Sequence, residues 1–285
     1  MFPAGQPGVT VRYVTLDDGL TLRVAESGPA KDDAVLLVHG WAASMYSFAE
    51  MIPALAAAGH RTIAVDLPGH GLSDKPTDES HYTTQALGDA MLRLAAALGI
   101  RRFSVVGHSM GGAIGLDLAT RGERKLDRLV LVATVGLSAV PVILPLRLLS
   151  PRPTLRLLSI LITRRVVDLL LRVMFATPGR PTRRDTDEYW APTQFDEFFG
   201  ACRACLHRFT WSPTPATKLR SLRVPVLVIG GAKDFGTNEN VERAKLIPSA
   251  RIATIPGGGH IVQQECAAAT NEEVVRFLSN AIGKR

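Results

Sequence analysis

The most constraining feature of this chain is a repeated alternation of two patterns. Short strand-like runs, the continuous apolar Ala34–Val38 and then Arg61–Val65, Phe103–Val106 and Leu126–Val132, alternate with longer stretches of helical spacing. A run that is apolar on both sides predicts a strand buried on both faces. Strands that alternate with helices predict a parallel sheet covered by helices on both sides. Helices are expected over Tyr46–Ala58, Thr83–Leu98 and about Met110–Thr120, the first two stopping at Gly59 and Gly99. Val9–Leu16 and Leu20–Ala25 read as a hairpin around Asp17-Asp18-Gly19.

The alternation breaks from about Gly136 to Leu222 and resumes with strands at Val224–Ile229 and Arg251–Ile255 and a closing helix over about Val262–Ile282. The expected organisation is therefore a core of residues 1–135 and 223–285, with a helical cap inserted at 136–222. At 285 residues the chain is long enough for one core with such an appendage.

The net charge of +7 is local. Residues 147–184 hold nine arginines and a single acid, Asp168, which leaves the remainder near neutral. That segment is rich in leucine and lacks interleaved stacking aromatics, which argues against a nucleic-acid surface. Leu155–Phe175 is nearly all apolar apart from a stripe at Arg156, Arg164, Asp168 and Arg172, with Asp168 spaced to pair with Arg164 and Arg172. The first reading is a lid helix packed on the main body. The second is a cap whose apolar face makes peripheral contact with an anionic membrane. Leu129–Leu146 has no charge, but Gly136, Pro141 and Pro145 fit a strand and loop better than a membrane span. Met1–Gly8 shows no basic or apolar leader, and three cysteines make no disulfide framework, so a cytoplasmic location is expected.

The chemistry centres on Gly107-His108-Ser109-Met110-Gly111-Gly112, between a buried strand and a helix. This is the context of a nucleophile elbow: small residues at 107 and 111 permit the tight turn, and Ser109 sits at its tip. A serine nucleophile needs a base. His260, in the loop Pro256-Gly257-Gly258-Gly259-His260 after a strand, is the candidate; His108 is expected to pack behind the elbow. The base needs an acid. Asp234 follows the strand at Val224–Ile229, and no carboxylate follows Leu126–Val132 in Ala133–Gly136. The order Ser109, Asp234, His260 suits a hydrolase triad.

With His39-Gly40-Trp41 and Asp66-Leu67-Pro68-Gly69-His70-Gly71-Leu72-Ser73-Asp74, these motifs resemble the α/β-hydrolase superfamily over about residues 9–282. The resemblance implies an α/β fold with a mostly parallel eight-stranded sheet. It also implies an oxyanion hole from the backbone N–H groups of Trp41 and Met110. Phe235-Gly236-Thr237-Asn238 departs from the Pro that often follows the acid in that family.

The loop Asp66–Asp74 reads as self-bonding structure. Cys202-Arg203-Ala204-Cys205 lacks a second ligand pair and reads as thiols in the cap's core. No metal or cofactor is expected. Relatives that hydrolyse haloalkanes or epoxides use Asp at the elbow, and epoxide hydrolases add two cap tyrosines; here the elbow has Ser and the cap only Tyr189. The expectation is a serine hydrolase of an apolar carboxylic ester. Thioesterase, carbon–carbon hydrolase and cofactor-free perhydrolase activities remain open, as does a non-catalytic binding protein of the same fold.

Overall fold

The computed structural model describes residues 1–280, with only the backbone described at 156–158. Among the described residues, eight strands form one sheet in the order β1-β2-β4-β3-β5-β6-β7-β8. The strands are β1 (Val9–Thr15), β2 (Thr21–Ser27), β3 (Asp33–Val38), β4 (Thr62–Val65), β5 (Arg102–His108), β6 (Leu126–Val132), β7 (Val226–Gly231) and β8 (Ala250–Ile255). β2 runs antiparallel to both neighbours; from β4 to β8 every pairing is parallel. The central strands are buried along nearly their whole length, in keeping with their largely apolar sequences.

Helices α1 (Met51–Ala57), α2 (Thr84–Ala97) and α3 (Met110–Thr120) fall in the first half of the chain. Between β6 and β7 come α4 (Ile143–Leu149), α5 (Leu155–Leu161), α6 (Arg164–Met174), α7 (Arg183–Trp190), α8 (Phe198–Arg208) and α9 (Ala216–Arg220). α10 (Thr237–Ala244) joins β7 to β8, and α11 (Val262–Glu265) and α12 (Ala267–Ser279) follow β8. Two apolar clusters pack on the two sides of the sheet. One holds Leu36, Val105, Leu129 and Leu131, the other Leu37, Val106, Val130 and Ile229.

Several expectations are corrected. The stretch 155–175 is two helices, because Thr163 takes an extended backbone at the N-cap of α6, a position threonine favours. Arg172 pairs with Asp168 at 2.8 Å, but Arg164 turns to Asp187 at 2.6 Å, since α7 packs on α6 and offers a second carboxylate. The Arg156 side chain lies outside the described residues. The closing helix breaks at Cys266 (φ −121°, ψ 44°), and positions 281–282 lie outside the described residues. The expected helix at Tyr46–Ala58 is a 3-10 turn, Met45–Phe48, followed by α1. No described helix is long and apolar enough to cross a membrane.

Candidate active site

Ser109 stands between β5 and α3 with φ 52° and ψ −114°, a positive φ rare outside glycine. The strain persists because the surroundings overdetermine it. The Ser109 N–H donates to the Val132 carbonyl at 2.9 Å, and its own carbonyl accepts from Gly112 and Val135 at 3.1 and 3.2 Å. Gly111 is forced by contact: a Cβ there would lie 1.9 Å from the Val38 carbonyl oxygen.

Asp234 and His260 arrive from the loops after β7 and β8, on the same carboxyl edge of the sheet. Backbone bonds lock these two loops together. Lys233 N–H donates to Gly258 and Ala232 N–H to Ile255, at 2.8 and 2.9 Å. A side chain at Gly231 would collide with the Gly259 carbonyl at 2.3 Å. His260 Nδ1 lies 3.2 Å from Asp234 Oδ1, and its Nε2 lies 3.2 Å from Ser109 Oγ. Asp234 and His260 are both buried. The three side chains singled out in the sequence thus meet in the order Ser–His–Asp, within reach of proton transfer.

The Gly40–Trp41 turn lies against the elbow: a Cβ on Gly40 would sit 3.1 Å from Ser109 Cβ. His39 fixes that turn. Its Nδ1 donates to the Gly40 carbonyl at 2.7 Å, and its Nε2 accepts from Leu67 N–H at 3.0 Å. Burial lowers its pKa to about 4, so the ring is neutral. The Met110 N–H is the first of α3, one of the donors a helix leaves without an internal partner. Trp41 Nε1 donates to the Cys202 carbonyl at 2.9 Å, tying this turn to α8.

His108 is buried, and burial lowers its pKa to about 3. It is not placed as a base toward Ser109; its Nε2 binds the backbone carbonyl of His260 at 2.9 Å. The Asp66–Asp74 loop bonds to itself, Gly69 N–H donating to the Asp74 carbonyl at 2.8 Å and Ser73 N–H to the His70 carbonyl at 3.1 Å, and to its surroundings. Asp66 accepts from Met45 and Leu72 N–H, and Asp74 accepts from Thr21 N–H. Cys202 and Cys205 are buried on α8, where burial raises both thiol pKa values, and Cys205 Sγ lies 3.3 Å from Met110 Sδ.

The contacts of two residues near His260 escaped the sequence reading. The Phe235 ring lies nearly parallel to the His260 imidazole, with 5.5 Å between centroids and 17° between planes, yet is 75% exposed. Glu265 accepts three backbone N–H groups: Gly259 at 2.7 Å through one oxygen, and Ala176 and Thr177 at 2.7 and 2.9 Å through the other. One carboxylate thus bridges the loop of His260 and the segment after α6. His260 N–H also donates to the carbonyl of Met174, the last residue of α6, at 2.9 Å. Nothing in the run Gln263-Gln264-Glu265-Cys266 marks that role. Val167, Leu171 and Phe175 pack on Ile261, so α6 lays an apolar face beside the site. A cavity of about 240 Å³ lies elsewhere, at the amino edge of the strands beside Arg61, Arg102 and Arg128.

Residues 33–265 match the alpha/beta hydrolase fold family. The chain belongs to this family. It is 29% identical over 262 residues to the dihydrolipoyllysine-residue acetyltransferase component of the acetoin cleaving system from Pseudomonas putida, a match covering 91% of this chain and 67% of that one. A haloalkane dehalogenase from Psychrobacter cryohalolentis is 38% identical over 120 residues, which span 41% of this chain and 40% of the dehalogenase. The solved structure of Cfl2 from Burkholderia cenocepacia superposes with a TM-score of 0.83 at 26% identity, covering 95% of this chain and 96% of that one.

Proposed function

We propose that this family member is a serine hydrolase that cleaves a carboxylic ester with an apolar acyl or alcohol part. The observation that carries the reading is the contact chain Ser109 Oγ–His260 Nε2 and His260 Nδ1–Asp234 Oδ1 at a strained elbow. A serine, not an aspartate, stands at the tip, which favours acyl transfer over direct displacement of halide or opening of an epoxide.

His260 Nε2 takes the Ser109 proton as Oγ attacks the ester carbonyl. Asp234 accepts the Nδ1–H bond and stabilises the imidazolium. The N–H groups of Trp41 and Met110 stabilise the oxyanion, each by about 3 kcal/mol when aligned. The tetrahedral species collapses, the alkoxide leaves with the proton held on Nε2, and the acyl group stays on Oγ. Water then attacks the acyl carbonyl, giving one proton to Nε2, and the acid departs as that proton returns to Oγ. Helices α4–α9 act as the cap of the 136–222 insertion over a core of 1–135 and 223–285, and the apolar face of α6 supports an apolar substrate.

The test is hydrolysis of p-nitrophenyl esters from acetate to laurate by the wild type and Ser109→Ala. Ester turnover that falls by about four to six orders of magnitude in Ser109→Ala establishes the reading. Fluorophosphonate labelling of Ser109 with no ester turnover would replace it by thioester or carbon–carbon cleavage on the same triad. Absence of labelling would favour a binding protein.

A further inference from the structure

Helices of the inserted segment present apolar side chains to solvent, where a lid would be expected to present polar ones. On α4, Leu144 and Leu148 stand four residues apart at 65% and 73% exposure, with Leu149 beside them at 72%. On α6, Leu169, Leu170 and Val173 are 63%, 55% and 79% exposed, whereas Val167 and Leu171 are buried. At 100° per residue, Leu169 and Val173 lie on the side of α6 away from Val167 and Leu171. The helix therefore has two apolar faces and uses only one against the core. Nine of the fifteen exposed large hydrophobic side chains of the described surface fall between residues 142 and 173, so they are concentrated in one short stretch of the chain.

The charge carried by this stretch of sequence is mostly of one sign. Asp168 is the only acid between 147 and 184, and its oxygens are engaged by Arg172 and Thr186. Arg165 is exposed on α6, and Arg172 keeps 59% of its side chain in solvent. Arg152 shares the single carboxylate of Glu79 with Arg203 and Arg208, three cations on one anion. A second copy packed face to face would set these arginines against each other. Anionic headgroups complement them, and the leucines supply what enters the acyl boundary.

We propose that the face formed by α4–α6 docks on an anionic lipid bilayer surface, with its leucines in the acyl boundary and its guanidinium groups on lipid phosphates. The docking does not depend on the ester-hydrolase reading and is measured without turnover.

The experiment is co-sedimentation of full-length Ser109→Ala protein with vesicles of phosphatidylglycerol and phosphatidylcholine, or of phosphatidylcholine alone. Binding is expected to the anionic vesicles, weakened by salt. Leu148→Glu with Leu169→Glu should weaken it by about tenfold or more, and Arg165→Glu by severalfold. All three side chains are exposed, so circular dichroism and Tm should stay at the parent values. No binding to anionic vesicles at low salt would overturn the proposal. So would light scattering that shows a dimer split by the same leucine substitutions, since the face would then join two copies.

Discussion

The Nε2 of His108 donates to the backbone carbonyl of His260 at 2.9 Å, so the residue before the elbow serine holds the chain that carries the base. Because a carbonyl only accepts, Nε2 carries the proton and Nδ1 is a bare, buried acceptor without a protein partner among the described residues. His108→Ala strips the carbonyl of its donor in a dry site. We expect a stability loss of about 1–3 kcal/mol and a kcat about tenfold lower with KM little changed. Denaturant titration and steady-state kinetics check both; wild-type kcat would show that the bond is structural only.

Phe235 makes a contrasting case, because its ring is mostly in water while it stacks on His260. Phe235→Ala should leave Tm unchanged. A stack of this kind is worth about 0.5–1.5 kcal/mol, so ester turnover should fall about threefold to tenfold if the ring keeps the imidazole aligned. Unchanged turnover would reduce Phe235 to a bystander.

Three buried histidines set a pH dependence of stability. Burial lowers the pKa of His39 to about 4, and of His70 and His108 to about 3, from an ordinary 6.5. Below about pH 6.5 the unfolded chain takes up protons that the folded chain refuses, so the unfolded state gains. The stability these residues supply is complete above that pH and is lost as pH falls toward about 4 for His39 and about 3 for His70 and His108. Each contributes a slope of about 1.4 kcal/mol per pH unit in that window. Urea midpoints from pH 7 to pH 4.5 should fall steeply, and His70→Asn should remove about a third of the histidine slope. Equal slopes in the two proteins would contradict the assignment.

Gly111→Ala tests the elbow itself. Its Cβ would meet the Val38 carbonyl, which is strand backbone and cannot swing aside. We expect a cost of about 3 kcal/mol or more, seen as loss of soluble protein or a large drop in Tm. A variant with native Tm would mean that β3 and α3 separate more easily than their packing implies.

Much of this was written in local patterns. β6 is the run Leu126–Val132 that the sequence marks as a buried strand, and Ser109 lies at a turn whose glycines are needed by contact with β3. The family match adds its weight to the same fold. What the sequence hides is tertiary. Arg164 left Asp168 for Asp187, a choice made only once α7 packs on α6. The width of the apolar face at 155–175 was visible, but not that its outer half stays uncovered. Glu265 shows no sign of its role, because its three partners are backbone N–H groups, which every residue but proline owns.

The bond from His260 N–H to the Met174 carbonyl ties the loop of His260 to the end of α6. If α6 swings outward, it either breaks that bond or carries the imidazole away from Ser109. The position of α6 and the position of the imidazole are therefore coupled through that backbone bond.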